Sequence, residues 1–204
     1  NASRCVALHL CRRKTVNKKH ISLDTLAGII RTEIINEARG LVRVDMGAPR
    51  LTQGEIPMAG NPAETAVNFP LSAAGQTFHG TAVSMGNPHL VIFTPDINKV
   101  PLSVWGPQLE THPLFPRKTN VEFVQVLDDK TVRMRVWERG AGITQACGTG
   151  SCAAAVACVL NHKTEKNLTV KLDGGDLFIE WPEQKNIFMT GLAQAVFSGE
   201  YWGE

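Results

Sequence analysis

In the segment Glu138-Arg139-Gly140-Ala141-Gly142-Ile143-Thr144-Gln145-Ala146-Cys147-Gly148-Thr149-Gly150-Ser151-Cys152, a polar, glycine-broken loop delivers a thiol to the start of an alanine-rich helix. The run from Ala153 to Leu160 is apolar on nearly every face, which predicts a central, buried helix whose unpaired N-terminal N–H groups aim back at Cys147. Those groups and the helix dipole favour a thiolate. Cys147 is therefore expected to titrate below the free cysteine value of about 8.5 and to be the most reactive thiol of the chain. A single cysteine ahead of a helix is more commonly a packing residue. Gly140, Gly142, Gly148 and Gly150 argue against that here, because they let backbone approach a small anionic ligand closely.

Three further motifs accompany the thiol: Ser84-Met85-Gly86-Asn87-Pro88-His89, Arg117-Lys118-Thr119-Asn120-Val121-Glu122-Phe123, and Met189-Thr190-Gly191. With Glu138 to Ala155 they resemble, in order and approximate spacing, the diaminopimelate epimerase family, and the resemblance extends over essentially the whole chain. It implies an α+β fold in which mixed, mostly antiparallel strands wrap around a central helix in each of two pseudo-symmetric domains. The first domain is expected to be incomplete: residues 1–46 are its remainder, 47–191 form the second domain, and 192–204 return to the first. The opening Asn1-Ala2-Ser3-Arg4-Cys5 is similar to the tail of the family's C-G-N-G-A-R-C motif, with Ala2 in place of the usual glycine. On that alignment the other catalytic thiol lies two residues before Asn1, so the chain alone is expected to be inactive as an epimerase.

The implied chemistry is removal of the α-proton of an amino acid from one face and return of a proton to the other, with neither pyridoxal phosphate nor any other cofactor or metal. One cysteine is thiolate and the other thiol, and they exchange roles with substrate handedness. By resemblance Cys147 is one of the pair, with Glu138 and His89 at positions that orient or assist the thiols and the substrate ammonium. Asn1, Asn87, Asn120, Glu138 and Arg139 match substrate-binding positions, and Arg139 suits bidentate contact with the distal carboxylate of diaminopimelate. Gly148 and Thr149 could supply N–H groups to the α-carboxylate. Taken singly, each has an ordinary explanation: Asn87-Pro88 is a common turn pair that His89 could cap, and Glu138 and Arg139 could form an exposed ion pair. Only their company with Cys147 reverses that reading. A proline-racemase-type enzyme shares the two-thiol logic but has less need of Arg139, and a non-catalytic ligand-binding remnant is the alternative from another class.

Composition fits this picture. A chain of 204 residues with 43% apolar content can bury a sizeable core, and a net charge of +2 argues against nucleic acid as a partner. The basic run Arg12, Arg13, Lys14, Lys18, Lys19 reads as a solvated helix end. Five cysteines without paired spacing suggest a reducing compartment, with Cys5, Cys11, Cys152 and Cys158 in packing roles and no zinc site. No apolar run of about 18 residues exists, so no membrane span is expected. The resemblance implies a homodimer in the cytoplasm, and a plastid location stays open because the chain does not start with methionine.

Patterning places a helix over Ser3 to Lys14 and strands at Ile21–Leu26, Gly28–Ile35, Gly40–Met46, Gly80–Met85, Leu90–Phe93, Val121–Val126 and Val132–Trp137. Strands at Leu168–Leu172 and Leu177–Trp181 flank Asp173-Gly174-Gly175-Asp176, a hairpin signal. Leu192 to Tyr201 is a further apolar stretch, assigned by resemblance to the first domain.

Overall fold

The computed structural model describes residues 2–26, 28–200 and 202–203, in two units: residues 1–45 with 190–204, and residues 46–189. In the first, helix α1 (Ala2–Arg12) buries Arg4, Ala7 and Leu8, spaced as one helical face requires. That face packs on an antiparallel meander of β1 (His20–Thr25), β2 (Gly28–Asn36) and β3 (Leu41–Asp45), with Ile21, Ile34 and Val42 completing the core. The basic residues after α1 are exposed.

The second unit carries one curved run of strands. These are β4 (Phe69–Ala73), β5 (Gln76–Ser84), β6 (Pro88–Phe93), β7 (Asn120–Asp128), β8 (Thr131–Glu138), the short β9 (Gly142–Thr144), β10 (Asn167–Leu172) and β11 (Gly175–Glu180). Their order is β4-β5-β6-β7-β8-β10-β11, with β9 added on β8; β6–β7 and β8–β10 are parallel and the remaining pairs antiparallel. Each parallel step needs a crossover, and each has a helix: α2 (Leu102–Glu110) between β6 and β7, and α3 (Gly148–Leu160) between β8 and β10. Strand β12 (Phe188–Leu192) leads out of this unit.

Gly150 to Cys158 are buried without exception, so α3 is the axis around which the strands curve. Val83, Val91, Val124 and Met134 line that side of the sheet. The other side packs a separate cluster, in which Leu90, Ile92, Val121 and Phe123 meet α2 residues Leu102 and Leu109. Strand β6 is thus buried on both faces, which explains the unbroken apolar run of residues 90–93. Residues of this kind each contribute about 1.5–3 kcal/mol by leaving water.

Several elements depart from the sequence reading. Helix α1 ends at Arg12, before Lys14. Strand β4, which contains Pro70, and helix α2, which contains Gly106-Pro107, were assigned no element. Strand β9 lies in the segment expected as a glycine-broken loop, and β12 falls where no element was assigned. Residues 193–200 carry no regular structure, Val196 and Phe197 are exposed, and Tyr201 lies outside the described residues.

Helix α2 braces the end of β8, from which Glu138 and Arg139 emerge. Gly106 lies against the Trp137 ring, where an added Cβ would stand 2.6 Å from ring carbons. Glu110, from the same helix, accepts the Trp137 indole N–H at 2.7 Å and the Gly140 N–H at 3.1 Å, with the Lys118 ammonium 3.6 Å away. Burial raises its carboxyl, but these donors outweigh that effect and hold it below its ordinary value. Gly106→Ala is expected to lower stability by about 1–3 kcal/mol in denaturant unfolding. Because Glu110 is more acidic folded than unfolded, its contribution is present above the unfolded value and disappears as pH falls through the folded one. The gap in melting temperature between the native protein and Glu110→Gln should therefore be widest near neutrality and close on acidification.

Candidate active site

Cys147 is the N-cap of α3, with extended backbone at φ −133° and ψ 113°, and its sulfur accepts the Gly150 N–H at 3.3 Å. A cysteine here fills the place of the usual Ser, Thr or Asp cap, satisfying one of the helix's orphan donors with Sγ. Ser151 locks the same turn by donating its hydroxyl to the Cys147 carbonyl at 2.8 Å. The preceding loop is held by the tip of the β10–β11 hairpin, where the Gly174 N–H donates to the Gln145 carbonyl at 2.8 Å. Gly148 packs directly under the Met189 thioether.

From Cys147 a line of polar side chains runs inward. Thr149 Oγ1 stands 3.6 Å from the sulfur and accepts from Asn87 Nδ2 at 3.4 Å. Asn87 Oδ1 lies 3.1 Å from His89 Nε2, and His89 Nδ1 lies 2.7 Å from Glu122 Oε1. Asn87 sits in the tight β5–β6 turn, where Gly86 adopts φ +95°, and His89 is the second residue of β6. The parallel register of β6 on β7 pairs His89 with Asn120 and Val91 with Glu122. Both His89 and Glu122 are fully buried.

Sequence-expected residues also gather at the end of β8. Glu138 accepts the Thr144 hydroxyl, and its charge acts on Cys147 and Glu122. Asn120 spends both ends of its amide on backbone, donating to the Pro88 carbonyl at 2.8 Å and accepting the Arg139 N–H at 3.0 Å. Arg139 is exposed, with one guanidinium N–H on the Arg117 carbonyl at 3.0 Å. Asn1 lies outside the described residues. Among the described residues no group of three or more His, Cys, Asp or Glu is arranged to hold a metal ion.

Two expectations for Cys147 need correction. Its thiol is not acidified but pushed up to about 12, because burial and the nearby Glu122 carboxylate outweigh the Thr149 and Gly150 hydrogen bonds. It is also only 6% exposed, whereas Cys5, expected to be a packing residue, is exposed. Cys152 and Cys158 are buried and raised by desolvation. The sequence reading named no role for Glu122, which the structure places at the inner end of the polar line. A lone carboxylate within the apolar run of β7 was the available signal.

A thiol, a buried imidazole–carboxyl pair and amide groups are thus joined by hydrogen bonds around one helix end, an arrangement that can pass a proton between acid and base groups. The fold is similar to that of a predicted epimerase from Pseudomonas aeruginosa, with TM-score 0.68 and 13% identity over 98% of this chain and 73% of that one. It is also similar to a probable proline racemase from Agrobacterium radiobacter K84, with TM-score 0.65 and 15% identity over 96% of this chain and 67% of that one.

Sequence comparison is more specific. The family profile described as diaminopimelate epimerase matches residues 81–196. Diaminopimelate epimerases of Pelotomaculum thermopropionicum and Heliobacterium modesticaldum are 56% and 52% identical to the chain, over 98% of its length and 72% of theirs. The chain belongs to the diaminopimelate epimerase family of isomerases.

Limited alkylation near neutral pH, read by peptide mass spectrometry, is expected to modify Cys5 well before Cys147. Faster labelling of Cys147 would show that burial does not suppress its thiolate.

Proposed function

We propose that this chain acts in the epimerisation of diaminopimelate, interconverting the LL and meso forms as a step of lysine biosynthesis, with Cys147 as the acid–base group on one face of the α-carbon. The single observation that carries this reading is the placement of Cys147 as the cap of the buried α3, its sulfur tied to Gly150 and Thr149. In one direction the Cys147 thiolate takes the α-hydrogen as a proton, leaving the C–H electron pair on carbon, delocalised towards the α-carboxylate. A thiol on the opposite face then delivers its proton to that carbon. In the other direction Cys147 is the donor.

The weakly acidic α-proton makes charge stabilisation the main task. The first N–H groups of α3, at Gly148 and Thr149, have no partner within the helix and suit the α-carboxylate. Asn87 and His89 assist Cys147 through Thr149, and Glu138 adds the negative charge that an ammonium favours. Arg139 retains donors beyond its single bond to Arg117 and is accessible to a distal carboxylate. This reading includes assembly as a homodimer in the cytoplasm; the described residues hold no helix long and apolar enough to cross a membrane.

The test is exchange of the α-hydrogen of diaminopimelate in deuterated water, followed by mass spectrometry. Exchange by the native protein should fall to background in Cys147→Ala, and exchange that survives this change would remove Cys147 from the reaction. Arg139→Lys should lower exchange efficiency by about tenfold or more, because an ammonium cannot reproduce the planar fork. Unchanged kinetics would place the distal carboxylate elsewhere.

A further inference from the structure

The hydrogen bonds between Glu122 and Cys147 have a direction, and the amide of Asn87 sets it. Its Nδ2 donates to Thr149, so its Oδ1, which can only accept, faces His89 Nε2. Nε2 must therefore carry a proton. If the ring is neutral, Nδ1 then has only a lone pair to offer, and the 2.7 Å contact with Glu122 Oε1 requires a protonated carboxyl; if the ring is charged, the same proton sits on Nδ1. Either way one proton is held between Nδ1 and Oε1. With Asn87 donating to it, the Thr149 hydroxyl is free to donate in turn to the Cys147 sulfur, 3.6 Å away.

Losing the shared proton reverses each bond. An ionised Glu122 demands Nδ1–H, Nε2 becomes an acceptor, Asn87 has to turn its NH₂ towards it, and Thr149 then donates to Asn87 instead of to sulfur. We propose that Glu122 is a positioning residue: the proton it shares with His89 fixes the Asn87 amide and the Thr149 hydroxyl in the orientation that supports a Cys147 thiolate.

Three observations bear on this independently of the hydrogen-bond directions. Glu122 is fully buried, and its Oε2 has no hydrogen-bond partner among the described residues, a poor setting for a carboxylate and a tolerable one for a neutral carboxyl. Gly150 lets the two groups share its face of the helix: a Cβ there would stand 2.6 Å from Glu122 Oε1 and 3.2 Å from Cys147 Sγ. Burial, moreover, moves the Glu122 carboxyl upward in spite of His89. The titratable groups facing one another are His89 on β6, Glu122 on β7, Glu138 on β8, and Cys147 and Cys152 at the start of α3. A carboxylate and a thiolate are disfavoured together at this spacing, and the relay makes them more so, since the ionisation that adds charge at Glu122 also withdraws a donor from sulfur.

The inference deepens the proposed function and rests on Cys147 being the base, but its test needs no substrate and so fails separately from the exchange assay. Nitrogen NMR of the histidine-labelled chain should show His89 protonated at Nε2 towards acid pH and at Nδ1 towards alkaline pH, whereas Glu122→Gln should keep one tautomer throughout. Cys147 alkylation, followed by fragment mass spectrometry, should run at equal rates in the two proteins on the acid side. On the alkaline side Glu122→Gln should be faster by about tenfold, the equivalent of one unit in thiol pKa. A wild-type His89 with one tautomer at all pH overturns the proposal, and that spectrum stands whether or not the variant folds. Parallel alkylation profiles overturn it as well, because the relay would then stop short of the sulfur.

Discussion

A helix that is buried on all sides must end somewhere, and the way α3 ends governs the site. Its first N–H groups have no partner in the helix, and leaving such donors bare in a packed interior costs about 1–3 kcal/mol each. The chain answers with Cys147, whose sulfur takes the Gly150 N–H, and with Ser151, whose hydroxyl pins the capping residue's carbonyl. A thiol is a poorer acceptor than the hydroxyl or carboxylate usual at this position. It becomes a good one only as a thiolate, so the strength of the cap and the protonation of Cys147 are one variable.

The same burial works against that charge. Desolvation and Glu122 together lift the Cys147 thiol to about 12, which at first sight disqualifies it as a base. For proton removal from carbon the objection is incomplete. A base of high pKa is rarely ionised but abstracts a weakly acidic proton more readily, and the best compromise depends on what binding does to the charge around it. In the proposed reaction the substrate brings an ammonium into a neighbourhood that holds Glu122 and Glu138. That cation lowers the thiol pKa when it is needed, so an unliganded site that keeps its thiol protonated also protects it from oxidation and alkylation.

How much of this the sequence disclosed follows from what kind of signal each part carries. Helix α3 is apolar on every face, the 167–180 hairpin has alternating strands around Asp173-Gly174, and residues 90–93 of β6 are an unbroken apolar run, so all three were legible from pattern alone. Strand β4 and helix α2 were not, because Pro70 and Gly106-Pro107 are locally breakers and only packing against Phe78 and Trp137 makes them regular. Cys147, Asn87 and His89 were found as motifs, and the structure joins them by hydrogen bonds. Glu122 escaped because alternation assigns it to a wet face. It takes a parallel strand on one side and α3 on the other to bury it, and neither is visible in the run from Val121 to Val126.

The division of labour between the two crossover helices follows from their packing. Helix α2 and Glu110 hold the end of β8 through neutral and charged donors, and so fix where Glu138 and Arg139 start. Helix α3 instead presents a cap whose acceptor changes strength with its proton. One crossover is built to be insensitive to charge at the site, because its carboxylate is already satisfied. The other is built around an acceptor and a buried carboxyl that are each incompletely satisfied, and free energy left unsatisfied at rest is what a bound cation can recover.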